Sequence, residues 1–239
     1  SGAWSITSDD TNIIMIQGNL LKFVGAGTAT IMANQASDVN YDPGSTFFTL
    51  TVNKAQPILT SMSPILKTYG DSNFTISLPT SSSSGTVTLS SSNTSVATSI
   101  GNTISIVGAG TATITATQAA DTNYLEASTT TTLTVAKLSP ILSNFNPIIK
   151  TTDDAPFALT APVSSGGTGA ISYSSSNSNV ATIFGNVVTI TGVGIATITA
   201  TQAGDVNYNA QTITSQLTVG VGTTQTPELI SPLTNTTGA

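Results

Sequence analysis

Side-chain oxygens at a fixed spacing are the groups of this 239-residue chain best placed to do chemistry. Asp38–Tyr41, Asp121–Tyr124 and Asp205–Tyr208 each read Asp-x-Asn-Tyr. In each, Asp38 with Asn40, Asp121 with Asn123 and Asp205 with Asn207 bring a carboxylate and an amide within two residues. That is the donor type a hard cation such as calcium takes. Calcium wants about six to eight oxygens and several carboxylates, and each copy offers one reliable Asp. The competing reading is a turn that Asp and Asn cap while Tyr packs its ring over the end of a domain. The spacing therefore predicts a structural turn, no cofactor, and calcium only as the weaker alternative.

Other chemistries fail on residue type or geometry. The chain has no Cys and no His, which excludes thiolate or imidazole zinc sites, cysteine nucleophiles and Ser-His-Asp triads. Asp9-Asp10 and Asp153-Asp154 are acidic pairs, but adjacent residues on a strand point to opposite faces. Glycosidase chemistry needs two carboxylates about 5–9 Å apart across one bond, so solvated turns are predicted. Lys67 and Lys150 are equivalent (150−67 = 83). Neither has the buried carboxylate that an internal Lys–Asn cross-link requires, and both read as edge-strand lysines that discourage aggregation. Asn73, Asn93 and Asn235 lie in Asn-x-Ser/Thr sequons, which carry weight only in a glycosylating host. No catalytic residue is predicted.

Composition narrows the partners. Only 7% of residues are charged, the five cations are all Lys, and the net charge is −6. Without a basic cluster the chain has nothing to neutralise phosphates, and anionic membrane surfaces are disfavoured likewise. No apolar run reaches the ~20 residues of a spanning helix. Neither nucleic acid nor membrane insertion is predicted, and the 38% hydrophobic content is ample for packed cores.

The elements that must carry these residues come from a repeat. Trp4–Asn19, Val87–Asn102 and Ile171–Asn186 are versions of one sentence, and Gly25, Gly108 and Gly192 are spaced by 83 (108−25) and 84 (192−108). A period of that size means tandem copies of one small domain. Within the second copy, Ala112, Ile114 and Ala116 alternate with threonines, the period-two pattern of a half-buried strand. Phe74, Ile76 and Leu78 alternate likewise, Ile104 and Ile106 follow a Gly101-Asn102 hairpin turn, and Leu133 and Val135 point inward near the end. The Ser81–Ser84 run reads as a flexible loop. The third copy has the same inward set, from Phe157 and Leu159 through Ile198 to Leu217 and Val219. Six or seven short strands per copy and no amphipathic helix predict an all-β chain of immunoglobulin-like sandwiches.

Lys67–Asp71, Ser91–Thr98 (SSNTSVAT), Gly108–Ala116 (GAGTATITA) and Thr117–Tyr124 (TQAADTNY), closing with Leu133-Thr134-Val135, resemble the bacterial Ig-like repeats of group 2 and the related MBG type. The third copy matches at Gly192–Tyr208 and departs at Lys150–Asp154, where KTTDD replaces KTYGD. The resemblance covers nearly all of residues 1–219. It implies a sandwich serving as spacer, stalk or adhesive module in large secreted, cell-surface or virion proteins, and no catalytic residue.

The expected organisation is a partial repeat at 1–54 lacking its first strands, full repeats at 55–137 and 138–220, and a linker with the start of a further domain at 221–239. A first copy missing two strands would present an open edge and half a core, completed either by residues outside this sequence or by another chain. The expected function is a non-enzymatic extracellular stalk whose partners are neighbouring repeats. A virion or filament component is one alternative. A glycan- or receptor-binding adhesion module, contacting glycans or other surface proteins through the variable loops Ser81–Gly85 and Val163–Gly169, is the other. Tyr124 and Tyr208 are expected to help set the angle between repeats.

Overall fold

A computed structural model describes residues 2–223. These form strands and connecting turns, with no helix among the described residues. In the first copy the strands are β1 (Trp4–Ser8), β2 (Ile14–Gln17), β3 (Leu20–Phe23), β4 (Gly27–Gln35) and β5 (Gly44–Val52). The second copy holds β6 (Ile65–Thr68), β7 (Phe74–Thr75), β8 (Val87–Ser91), β9 (Ala97–Ile100), β10 (Thr103–Ile106), β11 (Gly110–Gln118) and β12 (Ala127–Ala136). The third repeats them as β14 (Ile148–Thr151), β15 (Phe157–Ala158), β17 (Ile171–Ser175), β18 (Ala181–Phe184), β19 (Val187–Ile190), β20 (Gly194–Gln202) and β21 (Gln211–Gly220). It adds two short strands, β13 (Leu142–Ser143) and β16 (Val163–Ser164). The chain divides into two compact units, Ser1–Ala136 and Lys137–Ala239.

Each complete copy is a two-sheet sandwich. In the second, β6-β12-β11-β8 face β7-β10-β9; in the third, β14-β21-β20-β17 face β15-β19-β18. The chain is thus built of tandem immunoglobulin-like β-sandwich repeats. The long hairpin β11–β12 keeps register from Gly110↔Val135 to Gln118↔Ala127. Its inward residues Ala112, Ile114, Ala116, Leu133 and Val135 are at most 3% exposed, while the alternate threonines face out. A β-branched side chain fits that pleated outer face, so the Thr runs favour the strand as well as wetting it. Gly101 takes φ 59°, which lets β9 turn directly into β10 with Ile100 opposite Thr103. The Phe74–Leu78 alternation ends early: Ile76 is buried, but Leu78 is 39% exposed because β7 stops at Thr75.

In each complete copy an early strand, β6 or β14, runs parallel to the last. Ile65–Thr68 pair with Leu133–Ala136, and Ile148–Thr151 with Leu217–Gly220. This strand seals the edge of the long hairpin and brings Ile65 or Ile148 against the core. Each complete copy buries a cluster of eight apolar residues, whereas the first buries Ile14, Ala29 and Ile31. Its sheets are β1-β4-β5 and β2-β3, with no strand on the outer edge of β5 among the described residues. The expected further domain at Thr226–Ala239 lies outside the described residues.

Candidate functional site

The Asp-x-Asn-Tyr turns build a recurring junction, and the Asp is its centre. Asp121 Oδ1 accepts the backbone N–H of Asn123 and of Tyr124, both at 2.8 Å. Its Oδ2 accepts the Ser84 N–H at 2.8 Å and the Ser83 and Ser84 hydroxyls at 2.9 and 3.0 Å. Asp205 does the same in the third copy, with Oδ1 on the N–H groups of Asn207 and Tyr208 and Oδ2 on the N–H and hydroxyl of Thr168. Asp38 takes the N–H groups of Asn40 and Tyr41 at 2.9 and 3.0 Å. Donors aimed at an ionised carboxylate stabilise the charged form. The Ser84 N–H therefore leads the groups that hold Asp121 well below the usual carboxylate range. The Thr168 N–H leads those that bring Asp205 down to about 2.

The sign of the pH effect follows from that depression. Asp205 is easier to ionise folded than unfolded, so its contribution is complete above pH ~4, near its unfolded value, and is lost as pH falls through about 2. Thermal melting is expected to move to lower temperature across that window. Asp205→Asn should flatten the acid limb for the third copy, which circular dichroism at several pH values would register. An unchanged acid limb in the variant would count against the role of this carboxylate.

Asn123 does something its own turn does not require. Rather than capping locally, its Oδ1 accepts the N–H of Ala26, in the glycine-bracketed turn of the first copy, at 2.8 Å. The linker is strapped down beside it. Ala55 bridges Tyr124 in parallel, Ala55 N–H donates to Asn123 O, and Leu125 N–H donates to Ala55 O. Lys54 Nζ donates to the carbonyl of Asp121 at 2.6 Å. Phe23, Val24, Val52 and Tyr124 wall a crevice of about 200 Å³ there. The next linker repeats the strap, with Leu138 bridging Tyr208 and Lys137 Nζ donating to Asp205 O at 2.5 Å. The six weak calcium candidates fall on three turns, one per copy.

A second device sits against the same loops and is absent from the sequence reading. Gln118 is 3% exposed, and its Nε2 donates to the carbonyls of Ser83 and Gly85, both at 3.1 Å, while Oε1 accepts the Ser81 hydroxyl. Gln202 holds Gly166, Gly167 and Ser164 in the same way. The two loops differ in composition but are held through backbone carbonyls, which any residue supplies. Ser81–Ser84 is therefore pinned rather than loose. The available signal was Gln35, Gln118 and Gln202, spaced by 83 (118−35) and 84 (202−118).

The remaining candidates resolve into local structure. Asp9 accepts Thr30 N–H, Asp10 accepts Asn12 N–H and Asp154 accepts Thr151 N–H, so each acidic pair contributes to a turn. Lys67 Nζ lies 4.7 Å from the centre of the Phe74 ring and Lys150 Nζ 5.0 Å from that of Phe157. Each edge lysine is thus seated by a cation–π contact. The sequon residue Asn93 accepts Ser95 N–H in its own turn. Beside these lysines the complete copies each open a groove, of about 430 Å³ in the second and 380 Å³ in the third. Met62, Ile65, Phe74 and Ile76 line the former; Phe145, Ile148, Phe157 and Leu159, one period on, line the latter. Among the described residues no three His, Cys, Asp or Glu cluster as metal ligands, and no helix is long and apolar enough to cross a membrane.

Comparison with protein-family models finds no match, and comparison with curated proteins finds none either. Solved structures offer distant likenesses. Extracellular domains 3–5 of Drosophila OTK align at 9% identity over 89% of this chain and 79% of that one, with a TM-score of 0.37. Drosophila N-cadherin EC1–4 aligns at 10% identity over 90% of this chain and 66% of that one, with a TM-score of 0.34. Immunoglobulin domains 1–5 of Sidekick-1 align at 15% over 92% and 52%, with a TM-score of 0.32. The chain thus spans about two thirds of the N-cadherin fragment and half of the Sidekick-1 fragment. Likeness this distant assigns no activity, ligand or partner.

Proposed function

We propose that the chain is a non-enzymatic stalk of Ig-like repeats, divided at 54/55, 137/138 and 220/221, within a large extracellular surface protein. The parallel pairing of β6 with β12 and of β14 with β21, the last strands of the two complete copies, is the observation that carries this reading. Tension on a stalk enters a repeat at the start of one strand and leaves at the end of the other. Because β6 and β12 run parallel, that load shears their hydrogen bonds together instead of unzipping them in turn. β14 and β21 take the load in the same way. The Asp-centred turns and linker straps then join copy to copy, with Tyr124 and Tyr208 helping to set the angle between repeats and the carboxylates serving as loop staples rather than calcium ligands.

Single-molecule stretching tests this. Two force peaks are expected from the complete copies, each releasing up to about 280 Å at roughly 3.4 Å per residue, unchanged between calcium and chelator. Extension without peaks would sink the stalk reading, and peaks that vanish with chelator would restore the calcium site.

The twin grooves support a second reading, an adhesion module that takes a glycan or receptor segment along Phe74 or Phe157. The change from Met62 to Phe145 between equivalent linings is the feature a binding role would exploit. A virion component rests on the family resemblance alone.

A further inference from the structure

Each half of the junction between the first two copies is fixed to its own copy. In the first, Val24 and Gly25 N–H donate to Ile13 O, which ties the turn carrying Ala26 to the approach of β2. β4 then opens at Gly27, paired with Val52 at the end of β5. In the second, the Asp121 carboxylate holds the Asn123 turn to the Ser83–Ser84 loop. The linker belongs to the second copy as well. Ala55 N–H donates to Asn123 O, Ala55 O accepts Leu125 N–H, and Gln56 Nε2 donates to Glu126 O at 3.3 Å. Pro57 is buried beyond them.

Asn53 and Lys54, both exposed, are left between the last pair of β5 and the bridge at Ala55. Lys54 is tethered through its Nζ to Asp121 O, so Asn53 is the linker residue that neither ladder nor strap holds. Across from it the apolar contact is loose. Phe23 and Val24 are 61% and 47% exposed on the wall of the junction crevice. Among the described residues, the hydrogen bond that joins the strands and turns of the first copy to the second runs from Ala26 N–H to Asn123 Oδ1, at 2.8 Å. Gly25 leaves room for it. A Cβ there would stand 3.1 Å from Asn123 Oδ1 and 2.6 Å from Asn12 O.

We propose that this junction is a hinge pivoting at Asn53, with the Asn123–Ala26 hydrogen bond as its catch. The linker and its strap travel with the second copy, and the first copy swings as one body when the catch opens. Hinges of this kind concentrate the backbone change in a few residues between rigid bodies. A single exposed hydrogen bond biases an equilibrium by about two- to tenfold, so the catch favours one orientation without locking it. In the proposed stalk such a joint yields before either sandwich loses a strand, but the hinge itself does not depend on that role.

The chain has no Cys, so Thr49→Cys and Thr132→Cys, exposed and one period apart, place a nitroxide pair on the two copies of the full chain. Pulsed dipolar spectroscopy should give a dominant distance with a minor broad component. Asn123→Ala should lower the ratio of the two by about two- to tenfold. Asn123→Asp keeps an acceptor oxygen and should retain the parent ratio. Amide exchange supplies an independent readout. Ala26 should lose protection in Asn123→Ala and keep it in Asn123→Asp, while β4 and β11 stay protected in both. Loss of protection in β4 or β11 would make the effect one of folding and overturns the proposal. So does a distance distribution that Asn123→Ala leaves unchanged, or one that Asn123→Asp broadens to the same degree.

Discussion

Leu133→Ala is expected to destabilise the second copy by about 2–5 kcal/mol, the range for truncating a large aliphatic side chain in a packed core. Leu133 is fully buried between Ala112, its partner across the β11–β12 ladder, and Ile65 on the sealing strand. Removing its side chain leaves a cavity that two fixed strands cannot close. The same change one period earlier, Leu50→Ala, is expected to cost markedly less, because Leu50 is only half-buried beside an open edge. Hydrogen exchange at the amides of β11 and β4 separates the two. Global melting does not, since a chain of several domains need not unfold as one unit. Equal loss of protection in both variants would contradict the account of the first copy as half a core.

Gly169→Ala is expected to be comparably damaging for a different reason, by about 2–4 kcal/mol. A Cβ on Gly169 would lie 1.7 Å from the carbonyl oxygen of Ala203 and 2.6 Å from its carbonyl carbon. Both atoms are backbone, and both chains are held in place: Ala203 N–H donates to Ala170 O, and Ile171 pairs with Gln202 one step on. No rotamer relieves such a clash, so the end of β17 must separate from β20. Two other glycines calibrate it. The nearest atoms to a Cβ on Gly166 belong to the Tyr208 side chain, which can move, and a Cβ on Gly101 meets nothing within 4 Å and costs only its positive φ. The expected order of damage is Gly169, then Gly166 and Gly101. Thermal melting together with exchange at the Ala203 amide checks it. A Gly169→Ala protein that melts like wild type would remove the clash argument.

The sandwich was legible because its signals are local. Ala112, Ile114 and Ala116 against four threonines specify a strand and its buried face, and Gly101-Asn102 specifies a hairpin, all within a few residues of chain. The Asp of each Asp-x-Asn-Tyr turn was legible for the same reason, since its Oδ1 bonds lie two and three residues ahead. Asn123 was misjudged because its acceptor oxygen serves Ala26, 97 residues away, and no local pattern encodes that. The glutamine staple was missed although its period was visible, because an isolated Gln at a strand end reads as polar surface. Only the loop folded back over Gln118 makes it a buried anchor. Gly85 and Gly169 were missed likewise, since their need for hydrogen in place of a side chain comes from the carbonyls of Ala119 and Ala203 across the ladder.

Sequence alone was enough for the repeat, the strands and their inward residues, and the exclusion of thiol and imidazole chemistry, because period and residue type are properties of the chain itself. The tertiary structure decided the rest: which side chains staple loops, and how each linker is strapped to the turn that follows. Those depend on groups tens of residues apart meeting in space, where a hydrogen bond or a clash is made by the partner as much as by the residue.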